Sequence, residues 1–558
     1  MRLPSQLHPW RPWLRLTPRV EYRRYFTARY DALAALLPAN SRLALIGTVF
    51  VLAVLNYGFR AVLTHSELDV MLLAKRFVAP HFLPGDFALS EPGTPRAAFL
   101  VLMYPLVKFL PLVKATLAGR ILAYLFMSVA VGLLAWRMGV GVGSTCVAAR
   151  VYLWLGQSYL PVGDALFKRL EALVPAYCLL LYGLNALVTR RLRLAGLLAG
   201  AALTFHVLVG MWGAFALGLT AVTMGLGRPR EWLSALGLWC LSGSLGLYHG
   251  LSFLREPAPT TPFDLTYVYV FFRNPLHFFP ACWNRAPGQF EVAAVLLLFV
   301  LAAGLTRSDA QSAASTAVAR FTLFSLVPFA AGLLIRPLPW APAFMEATYP
   351  FRVGSSLLLP LGLLIAVPAI LRFVCRPEKL RAAVTGGAVI LVFWHAAGGF
   401  VTGVRELRTF PEGGRQHGGF RTTRERYRVC HRIRDHTEPN ALLLAPQDLE
   451  VVSLLSGHPV VLRWKSIPFT KANMAEWYRR MIDFNGGREP TQLGFAGRRQ
   501  VRSTFQRLTA DQYRRLGRKY GAKCLLLRRR TVPGLRKLYE NRGYSVFSLG
   551  NASSHAGS

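Results

Sequence analysis

The chain has 558 residues, 53% hydrophobic, 12% aromatic and only 16% charged, and its 65 Lys and Arg against 27 Asp and Glu give a net charge of +38. So apolar a composition at this length excludes an ordinary soluble protein. The basic excess raises nucleic acid as a partner, but no recognised nucleic-acid motif accompanies it. Its clustering between apolar runs points instead to membrane topology and anionic lipid.

Residues 1–42 form a basic tail, with Arg2, Arg11, Arg15, Arg19, Arg23, Arg24, Arg29 and Arg42 against Glu21 and Asp31. Roughly eleven apolar runs follow, most of a length that matches a hydrocarbon core of about 30 Å. They fall near 43–60, 117–136, 141–160, 170–188, 194–208, 211–226, 232–252, 291–306, 319–336, 353–373 and 381–402. The pair flanking His206 is read as two short spans because Gly210 follows within a His, Met and Trp neighbourhood. The first run lies too deep in the chain for a cleavable signal and reads as a signal anchor.

Orientation follows from Lys and Arg in short loops. A cytoplasmic N-terminus puts Arg137, the Arg190, Arg191 and Arg193 cluster, Arg228 with Arg230, Arg307, and Arg372 through Arg381 on the cytoplasmic side. An odd number of spans then places residues 403–558 outside. Seven single cysteines, at 146, 178, 240, 282, 375, 430 and 524, show no CxxC or Cys/His spacing, which argues against a metal site.

Residues 403–558 read as a small α/β unit. Strand candidates are Ala441 to Ala445, Pro459 to Trp464, Ala522 to Leu527 and Tyr544 to Leu549. Helix candidates are a start at Asp448 to Leu455, Met474 to Asp483, and Thr509 to Tyr520 with Thr509 as N-cap. Gly486-Gly487 lacks the context of a phosphate loop, so the unit reads as a binding or scaffolding module.

Chemistry is expected where polar residues crowd the outer face. The first outer loop, 60–116, is the most loaded: His65, Glu67, Asp69, Lys75, Arg76, His81 and Asp86 lie in THSELDVMLLAKRFVAPHFLPGDFALS. Carboxylates there can serve as a general base, and a solvated amphipathic loop is the plain alternative. On one helix Glu67 and Asp69 face about 200° apart, and Asp69 shares its face with Leu72, Leu73 and Arg76. Asp86 follows Pro84-Gly85 in a turn. His206, Arg273 with His277, and Arg352 are the other outer polar positions, and charges at membrane depth point to function by default.

A first span, a long acidic outer loop, a His-Gly turn (FHVLVGMW), an Arg opening a late span (YPFRVG) and an outer α/β domain together resemble the GT-C fold glycosyltransferases. The resemblance covers nearly the whole chain by layout. It implies an α-helical polytopic protein of the bacterial inner membrane that moves a sugar from a polyprenyl-phosphate donor to an acceptor at the extracytoplasmic face. Residue by residue, the catalytic base maps to Asp69 or Glu67, a second acidic position to Asp86, and the phosphate contact to Arg352, with His206, Arg273, His277, Lys75 and Arg76 as further substrate contacts. The Asp-Glu pair that follows the first span in better-known members is absent; the nearest acids are Glu67 and Asp69. No nucleotide is implied, and a divalent cation is left open. A transporter or flippase for a lipid-linked or anionic substrate, and a non-catalytic anchor presenting 403–558, are the competing classes.

Overall fold

In a computed structural model the described residues are 40–59, 63, 65–90, 96–155, 164–279, 282–283, 289–305, 310–374, 378–409, 424–467 and 469–550. The basic tail therefore lies outside them, apart from its last residues. The chain is mostly helical, with a small C-terminal sheet.

The helices in chain order are α1 (Asn40–Ala53), α2 (His65–Val78), α3 (Ala97–Phe109), α4 (Leu112–Arg137), α5 (Val142–Trp154), α6 (Leu173–Val188), α7 (Leu192–Phe205) and α8 (Val207–Thr223). After α9 (Pro229–Arg255) come short helical turns over 265–278, then α10 (Gln289–Leu305), α11 (Ala310–Ser325), α12 (Val327–Ile335), α13 (Ala341–Thr348), α14 (Arg352–Val374) and α15 (Glu378–Thr409).

The expected eleven spans are not what forms. Among the described residues, three helical stretches are long and apolar enough to cross a membrane: Leu112–Arg137, Ala313–Ile335 and Arg352–Val374. Most of the other apolar runs are broken early. Helix α1 gives way to a π-turn at Val54–Gly58, and α6, α7 and α8 have only 16, 14 and 17 residues. At 1.5 Å per residue such helices cover about 21–26 Å, short of a core of about 30 Å. Helix α9 is long, at 27 residues, but Ser, Gly, Tyr and His dilute its hydropathy.

His206 makes the sharpest break. Its extended backbone ends α7, and its imidazole accepts from the Val209 amide to cap α8. A Cβ on Gly210 would collide with the Leu203 backbone, so glycine lets the chain fold back there. The bundle core beneath is continuous and apolar, running from Val49 and Leu52 through Leu180 and Val318 to Leu357.

The C-terminal unit carries α16 (Arg424–His436), β1 (Leu443–Leu444), α17 (Val452–Ser456), α18 (Lys471–Phe484), α19 (Gly494–Phe505), α20 (Ala510–Tyr520), β2 (Cys524–Arg528), β3 (Lys537–Glu540) and β4 (Tyr544–Ser548). The sheet order is β1-β2-β4-β3, with β1 and β2 parallel and the other pairs antiparallel. Caps set the helix limits as residue chemistry dictates. Thr470 accepts from Asn473 to start α18, Thr509 and Gln512 form a capping box on α20, and Gly521 ends it in the left-handed region. The segment expected as a strand at Pro459 to Trp464 makes only a bridge, Leu443 to Val460, and is otherwise irregular. That irregularity matters, because this segment meets the first loop.

The unit is not tethered loosely. Phe272, from the turns after α9, is fully buried within 5.2–6.0 Å of Trp464, Trp477 and Tyr478 in ring-centroid distance. Phe87 of the first loop joins the same core, and Val451 joins the core of the first-loop helices. Burying such aromatics contributes about 1.5–3 kcal/mol each, so the two parts hold one another.

Candidate functional site

Several pairs of Arg with a carboxylate meet at the junction between the bundle, the first loop and the C-terminal unit, and two of them differ most in how they are used. The first is Glu67 with Arg120. Arg120 Nε and Nη2 donate to the two oxygens of Glu67 at 3.0 and 2.9 Å, and the Leu170 amide donates to Oε1 at 2.8 Å. Glu67 is completely buried. Arg120 also donates to the Tyr57 carbonyl at 3.2 Å. This carboxylate is a clamp between α2, α4 and the loop that follows α5.

That loop is pinned at three places by side chains. Its Asp164 amide donates to Ser356 Oγ at 2.8 Å, its Leu166 amide to the Tyr152 hydroxyl at 3.3 Å, and its Leu170 amide to Glu67. The loop has little secondary structure of its own, so these bonds answer the backbone accounting that a helix would otherwise satisfy. Their product is a fixed Asp164.

The second pair is Arg352 with Asp164. Arg352 Nε lies 3.3 Å from Asp164 Oδ2, and Tyr177 donates to the same oxygen at 3.2 Å. Arg352 Nη1 lies 3.3 Å from His206 Nε2, and its guanidinium stacks 4.5 Å from the centre of the Tyr349 ring. Arg352 keeps 17% of its side chain accessible and Asp164 7%. Burial pushes the Asp164 carboxyl above its ordinary value, although Arg352 and Arg169 pull it down.

Tyr349 supports the Arg from an unusual backbone. It is left-handed, with φ of 48°, directly before Pro350. Such a conformation costs about 1–3 kcal/mol and persists only where packing dictates it. Here the ring is wedged among Tyr269, His277 and Phe278 at 6.4, 5.4 and 4.4 Å.

Around this pair the turns after α9 add Arg273 and His277. Arg273 Nη2 donates to the Lys465 carbonyl at 3.1 Å, and its guanidinium lies 5.4 Å from the centre of the Trp464 ring. Arg273 Nε and His277 Nδ1 have no hydrogen-bond partner among the described residues, and neither does Arg352 Nε, whose approach to Asp164 is not in line. His277 is held well below its ordinary pKa, first by burial and then by Arg352, Arg273, Lys465 and Arg169. Four cations thus act on one imidazole. His277 and these cations are partly buried as residues, while the unpartnered nitrogens themselves are shut off from solvent.

Two further groups belong here. Arg169 bonds Glu171 at 3.2 Å. Burial pushes the Glu171 carboxyl up, but Arg169, Lys465 and Ser66 outweigh it and bring it to about 2. It is an anion at any physiological pH.

Helix α2 confirms the geometric expectation for Glu67 and Asp69: they diverge. Asp69 accepts from Arg96 at 3.2 Å and from the Ser466 hydroxyl. Asp86 goes elsewhere. It caps the 3-10 turn at Phe87–Leu89 and accepts from the Val460 amide at 3.1 Å and Arg463 Nη2 at 2.5 Å. It docks the C-terminal unit. Arg76 Nη1 donates to the Phe82 carbonyl at 2.8 Å, and Lys75 shares the last turn of α2. The side chain of His65 lies outside the described residues.

The structure thus brings together Arg352, His206, Arg273 and His277, and commits Glu67, Asp86 and Arg76 to other partners. Sequence reasoning missed Asp164, Arg169, Glu171, Lys465 and Ser466. Among the described residues no group of three or more His, Cys, Asp or Glu could hold a metal ion.

Residues 424–484 match a family described as a domain of unknown function (DUF6798). The matched stretch contains Arg463, Trp464, Lys465 and Ser466. No match was found among curated proteins.

Proposed function

We propose that the chain is a membrane glycosyltransferase that takes a sugar from a polyprenyl-phosphate carrier at the extracytoplasmic face of a bacterial inner membrane. The observation that carries this reading is Arg352. It opens an apolar helix long enough to cross a membrane, it is paired with Asp164, and it stands among Arg273, His206 and His277. A lipid phosphate needs a cation at headgroup depth, and a guanidinium offers two parallel donors to it.

In the reaction, the acceptor hydroxyl loses its proton to a carboxylate while its oxygen bonds to the sugar anomeric carbon. The bond from that carbon to the phosphate oxygen breaks, and the polyprenyl phosphate leaves with the electron pair, its charge met by Arg352. Asp164 is our choice for the base, because burial raises its affinity for a proton and it stands beside the phosphate ligand. Asp69 is the second choice. Glu67 is committed to Arg120, and Glu171 is too weak a base.

The test is turnover by purified full-length protein in lipid nanodiscs, with a panel of polyprenyl-phosphate sugars and released polyprenyl phosphate as the readout. Release with at least one donor, abolished by Asp164→Asn and retained by Asp69→Asn, is the expected result. The reverse pattern moves the base to Asp69. No release with any donor, although polyprenyl phosphate itself binds, favours a carrier for an anionic lipid.

A further inference from the structure

Lys465 belongs to the C-terminal unit, but its side chain does not stay there. Its ammonium contacts Ser66 Oγ in the first turn of α2, while its carbonyl accepts from Arg273. Glu171, Arg169, Arg273 and Glu450 are the charged groups that act on it. Ser466, the next residue, reaches Asp69, and Trp464, the one before, lies beside the Arg273 guanidinium. Three consecutive residues of the C-terminal unit are therefore built into the junction.

Charge balance makes this placement informative. Arg169 and Glu171 answer one another, and Asp164 answers Arg352. Arg273 bonds the Lys465 carbonyl and the Asn274 side chain and lies against an aromatic face, Glu450 is the carboxylate whose charge acts on it, and its Nε has no hydrogen-bond partner among the described residues. Lys465 holds a neutral hydroxyl. His277, on which the charges of both act, is kept neutral and leaves Nδ1 unpartnered. Converging cations with unspent buried donors are suited to an anion with several oxygens.

We propose that Lys465 is a direct ligand of the substrate's phosphate, so that the phosphate bridges Arg273 and Arg352 of the helical part to the C-terminal unit. The inference rests on the phosphate site placed above, but not on sugar transfer. The C-terminal unit then forms one wall of the binding site rather than an appended module.

Calorimetric titration of the full-length protein in nanodiscs with farnesyl phosphate, farnesol and inorganic phosphate tests it without any turnover. We expect farnesyl phosphate to bind the wild type, Lys465→Met to weaken it about tenfold to a hundredfold, and Lys465→Arg to recover most of the loss. Farnesol binding should not change. Inorganic phosphate should show the same Lys465 dependence at lower affinity if the headgroup dominates, and none measurable if the chain is needed to reach the site; both accord with the proposal as long as the farnesyl phosphate arm responds. Lys471→Ala, which removes an equal charge from the same unit where its ammonium donates to the Glu256 carbonyl, should bind as wild type. Wild-type affinity in Lys465→Met, an equal loss in Lys471→Ala, or no binding of farnesyl phosphate by the wild type would overturn the proposal. Absence of sugar transfer with the binding pattern intact would sink only the transferase reading.

Discussion

Glu67 with Arg120 and Asp164 with Arg352 are the same chemical pair put to different uses. In the first, both carboxylate oxygens and the guanidinium are satisfied, and side-chain exposure is 0% and 2%. In the second, exposure is 7% and 17%, Arg352 Nε lacks an in-line acceptor, and His206, Arg273 and His277 crowd the same space. A closed pair holds elements together. An open one has donors left for something else. Both are buried Arg–carboxylate pairs, so a label such as ion pair would not separate them; the count of unspent donors does.

The comparison can be broken by substitution, most severely at the closed pair. Arg120→Ala leaves a fully buried carboxylate unpaired, which costs about 3–5 kcal/mol. Thermal unfolding in nanodiscs should show a large drop in midpoint or no folded protein at all, and a wild-type midpoint would mean that Glu67 is not a clamp. The open pair should respond in binding instead. Arg352→Ala removes charge-assisted hydrogen bonds worth about 1.5–3 kcal/mol, a loss of about tenfold to a hundredfold in affinity for polyprenyl phosphate, and Arg352→Lys restores it only in part. Full rescue by Lys would reduce Arg352 to a point charge.

Asp86→Asn sharpens the contrast from a third position, because it weakens the bond to Arg463 while keeping the shape. A loss of about 1–3 kcal/mol is expected, visible as faster protease cleavage after residue 410 with little change in phosphate affinity. The smallest effect concerns pH. His277 is neutral in the fold and has an ordinary value near 6.5 when unfolded, so the unfolded chain takes up the extra proton as pH falls. Stability tied to this group is intact above about 6.5 and declines below it by at most about 1.4 kcal/mol per pH unit. His277→Gln should flatten that part of the thermal stability profile; an unchanged slope would mean that His277 protonates freely.

How much of this was legible depends on how far apart the partners lie. His206 and Arg352 stood out because each is a lone polar residue among apolar ones. Thr509 with Gln512 marked its helix by local chemistry, as caps do. Spans were over-read because hydropathy measures apolar length, whereas breaks such as the π-turn after α1 depend on packing. Arg120 carried a signal that was passed over, a charge in the middle of an apolar helix, and it would have paired Glu67 away from catalysis. Asp164 and Glu171 looked like the edge of a span. Helix α19 begins at a glycine and β3 is only four residues long, so neither had a strong local pattern. Lys465 and Ser466 gave no hint, since nothing near them in sequence says that they meet Ser66 and Asp69.

Those last contacts join residues 399 and 397 positions apart. Ribosomes add about 5–20 residues per second, so the first loop waits about 20–80 s after its own synthesis for the segment that completes it. The junction stays unfinished until Lys465 and Ser466 have been made. A truncated product ending before Lys465 would lack the contacts to Ser66 and Asp69 that close the junction.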